Sequence, residues 1–491
     1  MSRFALSRCR TVQVHDHPRT RSLFSVSLAS VAMVTALCST VGANEGQAKR
    51  PNVVLLMADD MGWGDVGYNG HPVLKTPHLD AMSRAGLRFD RFYAPTVCSP
   101  TRGSCLTGRH PYRYGIFTAN VGKLPQKEQT IAEDLKSLGY STGHFGKWHL
   151  GTLTNDIQDG RRGGKDPNDY SPPWLHGFDA AFSTEQAIGT WDPGHNPVFN
   201  THYWTGPGNF ATTNLEGDDS RVMMDRAIPF IQQAVKAERP FLAVIWFHAP
   251  HEPVKAGPKY REMYAGESGA QQNYYGCITA LDEQVGRLRQ ELRDLNVAGN
   301  TLVWFCSDNG PEGKETAPGS SGPFRGRKRD LWEGGVRLPA ILEWPDQISS
   351  PRVTDVPCTT MDFLPTIRDF LRSSGESVLP IDGISIRPLI EGKPFERSKP
   401  IGFEFGNTAA WVDGRHKLVA LLEPSVKDAE TDTNSAVNLR LIKQVLLYDV
   451  VADPHEDRDL SDQNPALTAK MKAELEEWRK DCQRSNTGGD Y

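Results

Sequence analysis

The sequence predicts an α/β fold, in which a large, mostly parallel β-sheet is covered by helices and followed by a small C-terminal α+β part. Three short apolar segments, at residues 53–57, 241–247 and 302–306, are rich in β-branched side chains. Such segments are typical of strands that are buried on both faces of a parallel sheet. Helix signals lie between them, and the 491 residues suffice for one large and one smaller domain.

Two of the intervening helices have clear start signals. Thr76 followed by Pro77 combines a cap residue with a first-turn proline, and this helix is expected to end near Gly86. Residues 130–133 form a capping box, and Gly139 is a plausible terminator of the second helix. Strands that alternate with helices predict a doubly wound domain over residues 50–395.

Residues 151–215 have a different composition, dominated by Gly, Pro, Asn, Asp and Trp with little periodicity. We expect long loops here that cover the edge or mouth of the sheet and shape a site. Trp174, Trp191 and Trp204 either stack on sugar faces or hold the loops in place.

The C-terminal part, residues 396–491, is predicted to be a subdomain of its own. Alternating stretches at residues 411–419 and 445–450 indicate a small antiparallel sheet. The charged, amphipathic residues 466–482 predict a terminal helix.

Residues 1–43 are predicted to be a signal peptide. A leader with several arginines precedes a mostly apolar run at residues 23–37, and small residues stand before Asn44. The run is too short for a membrane span, so we expect export to the periplasm or extracellular space without a transmembrane anchor. Lipidation at Cys38 is the less favoured alternative, because Leu37 is bulky where a small residue is expected.

The composition excludes some function classes. A formal net charge of −5 gives no reason to expect nucleic-acid binding or a polybasic membrane anchor. An anionic substrate therefore needs a local basic site. The eight cysteines match no zinc pattern, and the sequence does not determine any disulfide pairing.

Polar residues follow each of the three apolar segments. Asp59 and Asp60 follow the first, Asp308 and Asn309 follow the last, and residues 248–251 read His-Ala-Pro-His. The ligand crevice of an open α/β sheet lies beyond the carboxyl ends of its strands, so these groups can converge. Either acidic pair alone is equally consistent with turn or cap chemistry. Together they form an all-oxygen set that favours calcium over zinc, with magnesium also possible.

Residues 98–102, which read Cys-Ser-Pro-Thr-Arg, form the most specific motif. Ser99 as a cap and Pro100 in a first turn predict that Cys98 lies at a helix N-terminus. There the helix dipole and Arg102 favour an anion or a polar nucleophile. Without this context, Cys98 would be interpreted as a buried small hydrophobic residue.

This motif, with Leu-Thr-Gly-Arg at residues 106–109, resembles the signature of the type I sulfatases, closest to arylsulfatases and N-acetylgalactosamine-6-sulfatases. Thr101 stands where the common motif has serine, a substitution that keeps the hydroxyl group. Further similar stretches follow in matching order at residues 51–62, 146–151, 307–310, 326–337 and 447–454. The resemblance covers nearly the whole mature chain and implies an alkaline-phosphatase-like fold.

The resemblance also implies the cofactors. Cys98 would be oxidised by a formylglycine-generating maturation enzyme, and one hydroxyl of the hydrated aldehyde would attack sulfur. One calcium ion would be held at the same place by Asp59, Asp60, Cys98, Asp308 and Asn309. It would draw in a sulfate oxygen and offset charge on the ester.

The resemblance implies a role for each remaining motif residue. Arg102 would orient the diol, and His149 would take the proton whose loss regenerates the aldehyde and releases sulfate. Lys147 and Lys328 would bind the sulfate oxygens. His251 would interact with the ester oxygen as the candidate proton donor to the leaving group.

The substrate is predicted only by class, as a sulfated carbohydrate or an aryl sulfate. Arg325, Arg327 and Arg329 either contact further negative groups of a polyanionic sugar or form a solvated basic loop. The alternative enzyme is a formylglycine-dependent phosphonate monoester or phosphodiester hydrolase. A non-catalytic binding protein of the same fold is disfavoured, because no motif residue is missing.

Overall fold

The three apolar segments lie side by side at the centre of the main sheet in this computed structural model. The structure describes residues 50–195, 199–371, 379–424 and 439–491, and the predicted signal peptide lies outside them. The strands are β1 (Asn52–Ala58), β2 (Leu87–Tyr93), β3 (Ser141–Lys147), β4 (Ala180–Thr184), β5 (Trp204–Gly206), β6 (Asn209–Phe210), β7 (Phe241–Trp246), β8 (Thr301–Ser307), β9 (Arg337–Glu343), β10 (Arg352–Thr354), β11 (Cys358–Thr359), β12 (Ile401–Phe405), β13 (Thr408–Asp413), β14 (His416–Leu422) and β15 (Ile442–Asp449). The helices are α1 (Pro77–Ser83), α2 (Cys98–Thr107), α3 (Ile131–Ser137), α4 (Asp219–Lys236), α5 (Pro258–Glu262), α6 (Gly269–Asp294), α7 (Glu333–Val336), α8 (Phe363–Leu371), α9 (Arg387–Ile390) and α10 (Pro465–Arg484).

The main sheet contains eleven strands among the described residues, in the order β10-β2-β9-β8-β1-β7-β3-β4-β5-β6, with β11 also paired to β2. From β8 to β4 all neighbours are parallel, whereas β9 is antiparallel to both β2 and β8. Ala58 is level with Ser307, and Met57 is level with Trp246. The residues after β1, β7 and β8 therefore emerge at one edge of the sheet, as the sequence predicts.

Both faces of the sheet are covered by helices, because successive side chains of a strand point to opposite faces. Val54 and Leu56 of β1 pack on one face, in a core that includes residues of α4 and α6. Leu55 and Met57 pack on the other face, in a core that includes residues of α2, α3 and α8. Each fully buried aliphatic side chain stabilises the fold by about 1.5–3 kcal/mol. The predicted α/β architecture is thus confirmed.

The two predicted helix starts are confirmed. Thr76 immediately precedes α1, which has Pro77 in its first turn. Thr130 and Glu133 form the capping box at the start of α3, and Gly139 adopts a positive φ of 86° after its end.

A second sheet lies in the C-terminal part, with the antiparallel order β12-β13-β14-β15. Phe403 and Val412 on one face of this sheet pack with Tyr93 and Met361 of the main part. Its other face packs on α10, which confirms the predicted terminal helix. Residues Lys49–Tyr491 pack as one unit, so the boundary between residues 395 and 396 stays a prediction.

The prediction of loops alone over residues 151–215 is wrong in part. The short strand β4 pairs in parallel with β3, and β5 and β6 extend the sheet from there. The sequence of β4, Ala-Ala-Phe-Ser-Thr, lacks the apolar character of the central strands, and this explains why it was missed. Trp204 is buried, and the Trp174 indole donates to the Tyr170 hydroxyl at 3.2 Å, so these two tryptophans hold chain segments in place.

Two further observations concern the described residues taken together. Within the described residues, no helix has the length and apolar character that crossing a membrane requires. The six described cysteines are all buried and unpaired.

Candidate active site

Cys98 is the first residue of α2, which begins directly after an extended Val97. The prediction that Ser99 caps this helix is wrong: the cap position is Val97, two residues earlier, and the buried Ser99 hydroxyl has no hydrogen-bond partner among the described residues. The Thr101 hydroxyl, by contrast, has a partner: it donates to the Asp308 carbonyl at 2.7 Å. This bond fastens the first turn of α2 to the end of β8.

Three carboxylates converge in front of Cys98. Asp59 follows β1, Asp308 follows β8, and the Asp60 backbone N–H donates to the Asp308 carboxylate at 3.0 Å. Asp60 holds a positive φ of 68°, a conformation that strains a non-glycine residue and turns the chain sharply at this point. One ligand atom each from Asp59, Asp60, Cys98 and Asp308 lies within 4.8 Å of the others.

The oxygen atoms of these side chains fit a hard divalent cation, and the hydrogen bonds of Asn309 test this interpretation. Its amide N–H donates to the Asp60 carboxylate at 2.7 Å and to the Gly310 carbonyl at 2.9 Å. Its amide oxygen is buried without any partner that the structure describes. Leaving a buried acceptor unsatisfied is costly, and a bound cation would satisfy it. Carboxylate and amide oxygens are the ligands that calcium and magnesium prefer.

Three buried cations accompany the three carboxylates. Lys147 Nζ lies 2.6 Å from Asp59, and Lys328 Nζ lies 2.6 Å from Asp60. The Arg102 guanidinium contacts Asp308 at 2.9 Å and also donates to the Lys147 carbonyl at 3.0 Å. Pairing of this kind is required for charges that are removed from water.

This environment shifts the pKa values of the site in different directions. Burial raises the pKa of the Cys98 thiol to about 12, so the thiol is neutral at pH 7. Burial also raises the pKa of Asp308 to about 7, and the neighbouring Asp59 charge adds to this shift. For Asp59, burial is outweighed by Lys147 and further positive groups, and its pKa falls well below the usual value. For Lys328, burial is outweighed by the charge of Asp60 together with further negative groups, and its pKa lies well above the usual value.

His149 lies just beyond β3 with a positive φ of 58°. Its Nε2 is 2.9 Å from the Asn120 amide oxygen, an acceptor, so Nε2 carries the proton. Nδ1 is buried and has no partner within the described part of the chain. Burial and the charge of Lys147 hold the pKa of His149 well below its usual value, so the ring is neutral. Nδ1 is therefore a free proton acceptor.

His251 has the opposite arrangement. Its Nδ1 donates to the Glu252 carbonyl at 2.6 Å, and its Nε2 lies 3.8 Å from the Asp60 carboxylate. Burial lowers the pKa of His251 to about 4. The neighbouring His248 is fully buried between Thr184 and Asp219 and does not join this group.

Arg325 and Arg329 are exposed at the rim, in partial agreement with a solvated basic loop, whereas Arg327 is buried, and contact with further negative groups of a sugar stays a prediction. Arg325 stacks on Trp332 at 3.9 Å, and the buried Arg327 donates to the Glu312 carbonyl at 2.9 Å. Arg329 is 54% exposed, and its guanidinium pairs with the Glu312 carboxylate at 2.6 Å. Glu312, which the sequence interpretation missed, also lies 3.3 Å from Lys328 Nζ.

The ten residues to which the resemblance assigns a role are thus brought to one place at the carboxyl edge of the sheet. The group combines an oxygen set that fits a divalent cation, three positive side chains, a proton acceptor and a second histidine around the N-terminus of α2. Such a group can bind a tetrahedral oxyanion, stabilise negative charge that develops on it, and move protons. Asn120 and Glu312 carry no motif, and only the folded chain identifies them.

Comparisons with known proteins agree with this chemistry. The profile of the sulfatase family matches residues 51–373. N-acetylgalactosamine-6-sulfatase of Sus scrofa is 35% identical over 389 residues, which cover 74% of this chain and 70% of the relative. Arylsulfatase A of Bos taurus is 32% identical over 463 residues, which cover 87% of this chain and 86% of the relative.

The solved structures include a similar fold. The crystal structure of Ps i-CgsB in complex with k-i-k-neocarrahexaose superposes with a TM-score of 0.74 at 25% identity, covering 89% of this chain and 94% of the other. The family profile spans most of the chain, and the relatives match it over most of their length. The chain therefore belongs to the sulfatase family and is a sulfuric ester hydrolase.

Proposed function

We propose that this enzyme removes sulfate from a sulfated carbohydrate, with Cys98 in the formylglycine form and one calcium ion in the site. The observation that carries the proposal is the position of Cys98, at a helix N-terminus within 4.8 Å of three carboxylates. The similarity to N-acetylgalactosamine-6-sulfatase and to a structure in complex with a hexaose supports a carbohydrate over a simple aryl ester.

The charges of the site explain how a chain of net charge −5 binds an anion. The three carboxylates and three cations of the site cancel, since each positive side chain pairs with one of the carboxylates. A calcium ion held by Asp59, Asp60, Asp308 and Asn309 would add two positive charges and polarise a sulfate oxygen. The site then attracts the single negative charge of a sulfate ester, although the surrounding field opposes it.

Formylglycine at Cys98 supplies, in its hydrated form, a hydroxyl nucleophile for the sulfur atom. Arg102 directs its guanidinium to this point from one helical turn further on. His149 accepts a proton at Nδ1, which is the nitrogen that its bond to Asn120 leaves free. Lys147 and Lys328 bind the sulfate oxygens, exchanging part of their contact with the carboxylates for the substrate.

His251 protonates the leaving alcohol. Its Nδ1–H is committed to the Glu252 carbonyl, so donation from Nε2 requires the doubly protonated ring. Burial lowers the pKa of His251 to about 4, so the ring is neutral in the free site, and the negative charge of a bound sulfate ester moves it toward the doubly protonated form.

Mass spectrometry of the peptide that contains Cys98 tests the proposal, with protein from a host that has the maturation system. We expect an aldehyde in place of the thiol, and Cys98→Ala should lose turnover of a sulfated saccharide while it keeps its fold. Active enzyme that carries only unmodified cysteine would contradict the mechanism. A large preference for a phosphonate monoester or phosphodiester over the matched sulfate ester would favour the alternative hydrolase.

Export is the second part of the proposal. It rests on the basic and apolar pattern of residues 1–43 and on the small residues before Asn44. Expression in a bacterial host should place the protein in the periplasm or medium with Asn44 as its first residue. A full-length N-terminus on the cytoplasmic protein would contradict this part.

A further inference from the structure

A fourth carboxylate, Glu312, lies beside the candidate active site, and the roles proposed above do not use it. Its Oε2 is 3.3 Å from Lys328 Nζ, which also contacts both carboxylate oxygens of Asp60, at 2.6 and 2.8 Å. A sulfate oxygen bound by Lys328 would lie within about 6 Å of Oε2, one hydrogen-bond length beyond the lysine. A negative charge so close to the sulfate weakens its binding, so we expect Glu312 to bind another part of the substrate.

Glu312 is held in a fixed, ionised state. Arg329 Nη1 contacts its Oε1 at 2.6 Å, and the Gly313 backbone N–H donates to the same oxygen at 3.1 Å. Arg329 adopts a positive φ of 76°, a conformation that a non-glycine residue keeps only where its surroundings impose it. Burial alone would raise the pKa of Glu312, but the bond from Arg329 and the charge of Lys328 outweigh burial and lower the pKa to about 2.

The second oxygen of Glu312 keeps capacity to accept a hydrogen bond. Oε1 already has two donors, whereas Oε2 has only the 3.3 Å contact with Lys328 within the part of the chain that the structure describes. An ionised carboxylate offers about two acceptor positions on each oxygen. The Glu312 side chain is 25% exposed. A donor from outside the protein can therefore reach Oε2.

A chain of direct contacts connects Glu312 with Cys98. Ligand atoms of Cys98 and Asp60 lie within 4.8 Å of each other, Asp60 contacts Lys328, and Lys328 contacts Glu312. Cys98 and Lys328 are buried, whereas the Glu312 and Arg329 side chains are 25% and 54% exposed. The contacts thus lead from the base of the site to its rim. A substrate with its sulfur atom at Cys98 meets Glu312 on this side.

The charges around Glu312 favour a hydroxyl group as its ligand. Lys328 and Arg329 are the cations next to its carboxylate, and the buried Arg327 donates to its backbone carbonyl at 2.9 Å. Lys328 also pairs with Asp60, and Arg329 already pairs with Glu312 itself. A second sulfate at this point would bring its charge against the Glu312 carboxylate. A sugar hydroxyl donates to Oε2 and leaves the charge balance unchanged.

We propose that Glu312 is a specificity-determining residue whose Oε2 accepts a hydrogen bond from a hydroxyl group of the sulfated sugar, close to the ester. Arg329 acts through Glu312 as a positioning residue. The inference rests on the proposed function and makes it more specific. The enzyme distinguishes a sulfated sugar with a free hydroxyl at this place from an aryl sulfate and from a sugar that carries a second sulfate there.

The test measures kcat/KM for monosulfated galactose and N-acetylgalactosamine isomers and for 4-nitrophenyl sulfate, which has no neighbouring hydroxyl. We expect Glu312→Ala to lower the ratio of the best saccharide to the aryl ester about 10- to 100-fold, the effect of losing a hydrogen bond to a charged group. Any weakening of Lys328 cancels in this ratio, because both substrates carry a sulfate. Glu312→Gln keeps the shape of the side chain and should also lower the ratio, because an amide oxygen is a weaker acceptor.

Deoxy analogues of the best saccharide identify the hydroxyl. For the wild-type enzyme, one analogue should lose as much kcat/KM as Glu312→Ala does with the parent saccharide, and Glu312→Ala should then cause no further loss relative to 4-nitrophenyl sulfate. Arg329→Ala should lower the ratio, and Arg329→Lys should restore part of it. The matched control is Glu391→Ala, since Arg387 at 2.7 Å and Lys393 at 2.6 Å hold that carboxylate in the same way.

The outcomes separate the role of Glu312 from the proposed function. If the wild-type enzyme turns over neither a sulfated saccharide nor 4-nitrophenyl sulfate, the proposed function fails. If it turns over both and the ratio in Glu312→Ala and Glu312→Gln equals that in Glu391→Ala, Glu312 only supports Lys328 and the inference is wrong. A higher wild-type kcat/KM for a saccharide with a second sulfate in place of the identified hydroxyl would also overturn it.

Discussion

At the scale of single residues, one hydrogen bond decides which nitrogen of His149 can accept a proton. The bond joins two residues in left-handed backbone conformations, Asn120 with a φ of 62° and His149 with a φ of 58°. Such conformations are uncommon for non-glycine residues and persist where the surrounding structure imposes them. The strain on both sides indicates that the orientation of the imidazole is what this part of the fold maintains.

Replacing Asn120 should therefore affect catalysis more than stability. We expect Asn120→Ala to lower kcat about 10- to 100-fold, by analogy with the loss of a partner that orients a metal-ligating histidine. Asn120→Asp keeps an acceptor opposite Nε2 and should retain more activity, with the acidic limb of its pH–rate profile moved to higher pH by the added charge. Thermal unfolding of both variants provides the control. An Asn120→Ala enzyme with wild-type kcat would contradict this role.

At the scale of elements, the small sheet braces the segment that carries Lys328. Lys417 on β14 is fully buried and lies 3.0 Å from both Glu333 and Glu456. Glu333 opens α7, shortly after Lys328, and its backbone N–H donates to the Glu456 carboxylate at 2.7 Å. The second sheet is thus tied by buried charges to the chain that closes the site.

Removing the lysine should destabilise the enzyme strongly. Lys417→Met leaves the buried Glu456 without its cation and Glu333 with Arg337 alone, and we expect a loss of about 3–5 kcal/mol in the free energy of unfolding. Urea unfolding measures it. The exposed pair between Lys470 and Asp413, at 3.1 Å, offers the matched control, and Lys470→Met should cost less than about 1 kcal/mol. Equal losses in the two variants would show that the buried network has no special weight.

Features of the fold and of the site were predictable where they leave a local pattern in the sequence, and contacts between distant residues were not. The central strands and their polar ends were predicted, because a buried parallel strand and the shared edge of a sheet leave a local pattern in the sequence. The residues that contact the side chains of the candidate site were not predicted. Asn120 meets His149 across 29 positions, and Glu312 meets Lys328 through the course of a loop. Ser99 was misjudged because its alternative, an uncapped helix that starts at Cys98, has no sequence signal.

At the scale of the whole molecule, His110 connects the segment after α2 to the C-terminal helix α10. It follows α2, its ring packs on Trp478 of α10 at 4.8 Å between centroids, and its backbone N–H donates to Asp382 at 2.7 Å. Burial lowers the pKa of His110 to about 3, against the opposing charge of Asp382 and in the same direction as Arg113. The ring is therefore neutral in the fold.

The lowered pKa of His110 predicts that the folded protein loses part of its stability in acid. The pKa of His110 is lower in the folded protein than in the unfolded chain, so the unfolded chain binds the extra proton. The free energy of unfolding therefore falls as the pH drops from about 6.5 toward 3, by up to about 1.4 kcal/mol per pH unit. Asn at this position can still cap the following turn. We expect unfolding free energies of His110→Asn, measured at several pH values, to decline less steeply across this window. Parallel slopes for variant and wild type would assign the acid sensitivity to other groups.

The burial of Cys98 has a consequence for timing. Only 1% of this residue is exposed, at the base of a site that is closed by ion pairs. Under the proposed function, an enzyme that oxidises Cys98 would not reach this sulfur in the finished fold, so oxidation would precede the docking of α2 on β8. Maturation and folding would then compete, and fast synthesis should yield folded molecules that stay inactive as long as the fold is intact. Incubating such molecules with the maturation enzyme should restore activity after unfolding and refolding in its presence, and not before.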